Sequence, residues 1–118
     1  RRLMHHQLFE RLMLEIAVLT TTLPITWTDK QVEQFKFQII DKKLAACIQH
    51  YSINSTYSWK QKVINEDEWK IVAKTTIEKL AILLDWVCAE HPYETPQIIH
   101  HNEATTDEYF AWVSQQVE

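Results

Sequence analysis

The chain contains no glycine among its 118 residues, where about 7% is average. That absence excludes dinucleotide fingerprints, P-loops and nucleophile elbows, each of which needs glycine for close backbone approach or a strained turn. Turns must be made by Asn, Asp and Pro instead. There are two cysteines, Cys47 and Cys88, too few for a disulfide framework, so reduced thiols and a cytoplasmic setting are expected. No apolar run approaches the roughly 20 residues that span a bilayer. Basic residues are outnumbered, 12 to 16, for a net charge of −4, which argues against nucleic acid as the main partner.

Hydrophobic residues make up 46% of the chain, enough for the core of one ordinary domain. Residues 1–12 carry no secretory signal pattern and are read as an N-terminal extension or expression remnant. Residues 13–118 are read as a single domain.

Leu14 to Leu23 suits a buried strand ended by Pro24. Thr28 opens a helix, with Gln31 as its capping-box partner and Val32, Phe35, Ile39 and Ile40 on one face. Leu44 to Ile53 reads as a second strand. Extended character then resumes through Tyr57 and Trp59. Asn65-Glu66-Asp67 looks like the turn of a long hairpin, with Trp69, Ile71 and Ala73 alternating against Lys70, Val72 and Lys74 on return. Such arms exceed the usual 5–6 residues, so half of the hairpin should project and need a covering partner.

A capping box at Thr75 and Glu78 is expected to start the next helix. Its buried stripe would be Ile77, Leu80, Leu84, Val87 and Cys88. Gln97 to Asn102 forms a short strand with Ile98 and His100 facing away from Ile99 and His101. Thr105 and Glu108 open a terminal helix with Tyr109, Phe110 and Val113 inward. Strand, helix, strand, strand, helix, strand, helix is satisfied most simply by an α+β, ferredoxin-like β-α-β-β-α-β sandwich with an extra C-terminal helix.

Within this frame His91-Pro92-Tyr93-Glu94-Thr95-Pro96 concentrates an imidazole, a phenol and a carboxylate between two prolines. Each proline fixes its own φ and pushes the preceding residue out of the α region. The functional groups are therefore held on a stiff, non-helical connector.

Four blocks resemble the CutA divalent-cation tolerance family: Lys43-Leu44-Ala45-Ala46-Cys47-Ile48, Tyr57-Ser58-Trp59-Lys60, Lys74-Thr75-Thr76 and the His91-to-Pro96 connector. They occur in that family's order over about Leu14 to Glu118. The chain departs from the pattern at Gln61, where family members usually carry glycine, and at Gln49, where they commonly carry asparagine. The resemblance implies a subunit similar to PII signalling proteins, assembled as a homotrimer whose strands pair edge to edge, and a non-enzymatic role in binding divalent cations, copper in particular.

On that resemblance the site gathers Cys47, His91 and Glu94 as metal donors and Trp59, Lys74 and Tyr93 as walls of a cleft. Thiolate and imidazole suit copper or zinc, and a carboxylate fixes an imidazole tautomer or takes a harder cation. Each residue also has a plainer role. Cys47 after two alanines suits a buried small side chain, Trp59 suits interface contact, and His91 suits a helix C-terminus. No pair shows metal-ligand spacing. The alternative is a PII-like cleft binding a small anionic ligand or a partner protein, with Lys60, Lys62 and Lys74 contributing charge. A Cys47–His91 nucleophile pair lacks an orienting third group.

Overall fold

The computed structural model describes residues 14–118; the reading of residues 1–12 lies outside them. Seven elements follow in order: β1 (Glu15–Pro24), α1 (Asp29–Asp41), β2 (Cys47–Trp59), β3 (Lys62–Thr75), α2 (Leu80–Glu90), β4 (Ile98–Ala104) and α3 (Asp107–Gln116). The strands form one antiparallel sheet in the order β2-β3-β1-β4. This is the expected ferredoxin-like sandwich with an added helix.

Local chemistry sets the ends of α1. Thr28 Oγ1 accepts from the Gln31 backbone N–H at 3.2 Å, and Gln31 Oε1 accepts from the Thr28 N–H at 2.8 Å. The capping box is complete. At the other end Lys43 takes φ 58°. Its N–H reaches Ile40 O, and that of Leu44 reaches Ile39 O, both at 3.0 Å. That is a Schellman closure with lysine where glycine is usual.

Alternation along β1 divides the sheet's two faces. Leu19 and Leu23 point toward α1 and α2, where they meet Val32, Phe35, Ile39, Ile71, Leu83 and Val87 in the main core. Ile16 and Val18 point to the other face and are also buried. There α3 lies against β1 and β3 and contributes Val113 and Val117. Each such large aliphatic side chain contributes about 1.5–3 kcal/mol when fully buried.

Several expectations need correction. The hairpin turn is Lys60-Gln61, not Asn65-Glu66-Asp67, and β2 runs from Cys47 to Trp59. Both turn residues have positive φ, 50° and 67°, as a type I′ turn requires. With no glycine available, two long side chains adopt it. Asn65 and Asp67 sit inside the ladder instead, opposite Thr56 and Asn54. Helix α2 begins at Leu80 after a tight turn in which Thr76 Oγ1, not Thr75, accepts from the Lys79 N–H at 3.1 Å. Its buried residues are Leu83 and Val87, while Cys88 and Ile77 are exposed. The stripe is therefore rotated from the expected one. Ile40 is likewise on the exposed side of α1. Thr106, one residue past the expected Thr105, caps α3 by accepting from the Tyr109 N–H.

The molecule is long, 55 × 29 × 23 Å, with a radius of gyration of 16.7 Å. A compact domain of about 100 residues has about 13 Å. The excess is the distal hairpin, as the long arms predicted.

Candidate functional site

The connector after α2 is tied to β1 at both of its ends. At the first, Tyr93 N–H donates to His91 Nδ1 at 3.1 Å, and His91 Nε2 lies 2.8 Å from Thr22 O. A backbone N–H can only donate and a carbonyl can only accept. The proton therefore sits on Nε2, and His91 is neutral. Burial holds its pKa below the usual histidine value, against the Thr22 carbonyl and the Glu68 charge, which pull the other way. Thr21 Oγ1 lies 2.9 Å from the same Nε2 and donates to Gln97 O at 2.7 Å, closing the second end.

This latch places Tyr93. Its ring lies 5.1 Å from that of His91, and its hydroxyl donates to Glu68 Oε2 at 2.8 Å. Glu68 projects from β3 and is only 6% exposed. Burial and the bond to Glu68 push the Tyr93 phenol well above its ordinary pKa. A second phenol–carboxylate pair lies further out, where Tyr57 donates to Glu66. That bond is the main cause of a Tyr57 pKa pushed up to about 12. Both phenols are thus fixed donors, and both carboxylates acceptors.

Between connector and hairpin lies an open pocket of about 650 Å³ whose lining includes Ile53, Tyr57, Trp59, Glu68, Tyr93 and Glu94. Four of the six expected site residues are therefore near one another: Trp59, Tyr93 and Glu94 line it, and His91 anchors it. The other two are elsewhere. Cys47 pairs with Lys74, which pairs with Val18, whereas His91 bonds to Thr21 and Thr22. Three or four residues along β1 separate the groups by roughly 10–13 Å. Cys47 instead neighbours Tyr109 of α3, whose phenol pKa is raised by burial and then by the Cys47 charge and hydrogen bond.

Among the described residues no three His, Cys, Asp or Glu side chains are grouped to hold a metal ion. Both ring nitrogens of His91 are already engaged. The residues that sequence reading missed are Glu68, Glu66 and Tyr57. Placing the turn at Asn65 to Asp67 removed Glu66 from the ladder. Only the turn at Lys60-Gln61 sets the register that places Glu68 opposite Ile53, on the face of Tyr57 and Trp59.

A family model described as CutA1 divalent ion tolerance protein matches residues 17–116. The divalent-cation tolerance protein CutA of Thermotoga maritima is 36% identical over 81 residues, 68% of this chain and 80% of its own length. The fold is similar to that of the PII-like protein CutA from Nostoc sp. PCC 7120 in apo form, with a TM-score of 0.77 and 26% identity over 86% of this chain and 97% of that one. It is similar also to the periplasmic divalent cation tolerance protein CutA from Archaeoglobus fulgidus, with a TM-score of 0.79 and 30% identity over 89% of this chain and all of that one, 100%.

Proposed function

The chain belongs to the CutA1 divalent ion tolerance family, and from that premise we propose that it is a non-enzymatic homotrimer that binds divalent cations, copper(II) first among them. The observation that carries assembly is the uncovered sheet. β2 presents an outer edge of 13 residues, and Tyr51, Tyr57 and Trp59 on one of its faces are 51%, 39% and 39% exposed. A long edge that has no partner strand among the described residues, beside exposed aromatics, invites pairing with another copy.

A cation site built from Cys47, His91 and Glu94 requires donors from more than one subunit, because a single chain holds Cys47 at the far end of the sheet. It also requires His91 to release Tyr93 N–H or Thr22 O. The separation of Cys47 from His91 supports a non-enzymatic role, since a nucleophile and its base must lie within hydrogen-bond reach. Two free cysteines favour a reducing, cytoplasmic compartment, in contrast to the periplasmic description of the Archaeoglobus protein. No helix among the described residues is long and apolar enough to cross a membrane.

Calorimetric titration of Cu(II) into the reduced protein and His91→Ala, with mass by light scattering, tests the site. The expected result is a trimer in both and binding at least about tenfold weaker in the variant, a loss of about 1.4 kcal/mol. Equal binding by two trimers would remove His91 from the site.

A second reading, a PII-like cleft for a small ligand, is favoured by the pocket itself. In its anionic form that reading lacks a partner for the anion, since Glu68 and Glu94 line the pocket and Lys60, Lys62 and Lys74 do not.

A further inference from the structure

We propose that the pocket between the connector and the distal hairpin binds a small organic ammonium ion, held by Glu68 and walled by Tyr57, Trp59 and Tyr93. This rests on the small-ligand reading above and changes the class of ligand from anion to organic cation.

Shape is the first support. A volume of about 650 Å³ falls within the usual range for small-molecule sites, roughly 300–1,000 Å³. Charge is the second. Glu68 is a buried carboxylate on the pocket wall, 6% exposed. One of its oxygens, Oε2, accepts from the Tyr93 hydroxyl at 2.8 Å. A buried carboxylate without a cation is costly unless something pairs with it. Glu94 adds a second carboxylate to the lining, and among the described residues no Lys or Arg is there. Lys60 Nζ lies 5.8 Å from the centroid of the Trp59 ring.

The walls are the third support, and they decide between metal and organic cation. Three aromatic rings offer negative π faces, which attract ammonium groups and give no lone pairs to a metal. Lys60 over Trp59 shows that ring already accepting an ammonium. Among the described residues no three donors meet as a metal site. An ammonium needs one carboxylate, hydrogen-bond acceptors and apolar walls. Glu68 supplies the first, Thr22 and Gln97 in the lining the second, and the rings the third.

The test uses three probes of one shape in an amine-free buffer: cyclohexylammonium, cyclohexanol and cyclohexanecarboxylate. Each is titrated by calorimetry into the protein, into Glu68→Gln, which retains an acceptor for Tyr93, and into Trp59→Leu. Light scattering and circular dichroism confirm that the variants keep assembly and fold. We expect the ammonium to bind at least about tenfold tighter than the other two. Glu68→Gln should weaken it about tenfold and Trp59→Leu several-fold. Preference for the carboxylate would overturn the ammonium class while leaving the small-ligand reading intact. Binding of none of the three would overturn both. Ammonium binding unchanged in Glu68→Gln would overturn this pocket as the site. If Glu68→Gln fails to fold, Trp59→Leu and competition by cyclohexylammonium against Lys60→Ala decide: no loss in the first and no gain in the second would sink the proposal.

Discussion

The two halves of the β2–β3 hairpin obey different physics. The proximal half lies under α1 and α2, and its residues Ile71 and Ala73, both 1% exposed, sit in the main core. Among the described residues the distal half has no helix above it. There Val63 is 79% exposed, and the strands are joined by surface hydrogen bonds. Asn54 Nδ2 donates to Asp67 Oδ1 at 2.9 Å, and Asn65 Nδ2 to Asn54 Oδ1 at 2.8 Å and Thr56 Oγ1 at 2.7 Å. Burial stabilises one half. The other is a ladder held out for something to cover it, and the pocket lies where the two halves meet the connector.

The sharpest way to break this contrast is a matched pair of truncations. Ile71→Ala should cost about 2–5 kcal/mol in urea unfolding, as a core cavity does. Val63→Ala should change stability by no more than about 0.5 kcal/mol, as at an exposed site. Equal losses would mean that the distal half has a hidden core. A Val63 loss that grows with protein concentration would show a second copy covering it.

A smaller effect sits at the tip. Gln61 holds φ 67° without being glycine, and a left-handed conformation costs a non-glycine residue about 1–2 kcal/mol. Gln61→Gly removes that strain but frees the unfolded chain. The expected net gain is about 1 kcal/mol, read as a shift of the unfolding midpoint at constant m-value. A loss on substitution would mean that Gln61 makes contacts outweighing its strain.

Much of this contrast was legible in the sequence, and the failures share a cause. Trp69, Ile71 and Ala73 alternated plainly, because burial on one face enforces period two. Thr28 with Gln31 was legible because a capping box is local chemistry. The turn was missed because Lys60-Gln61 carries none of the usual turn residues, while Asn65-Glu66-Asp67 carries all the signs of one. Those signs were side chains suited to bonding across the ladder, as Asn54, Asn65 and Asp67 do. The error carried into the site. The connector from His91 to Pro96 was found from its prolines. Glu68, which gives the pocket its buried charge, read as the residue after a turn. Cys47 and His91 were joined on the family resemblance and their ligand chemistry, and only sheet register shows how far apart they lie.

The smallest expected effect tests the latch that fixes the connector against β1. His91 is half-buried, and its folded pKa is lowered first by burial, so screening keeps the consequence modest. In the unfolded chain a histidine titrates near 6.5. Above that pH both states are neutral, and the contribution of His91 to stability is complete. As pH falls below about 6.5 the unfolded chain takes up the proton first, and stability is lost until the pH has passed through the lower, folded value. The geometry gives the same sign, since a proton on Nδ1 would face the Tyr93 N–H that now donates to it. Urea unfolding of the wild type should therefore show a stability decline on the acid side of pH 6.5 that is shallower in His91→Gln. The difference between the two slopes isolates this group from the carboxylates that titrate lower. Superimposable slopes would mean that His91 is no more buried than in the unfolded chain. The connector would then be as loosely held as the distal hairpin it faces.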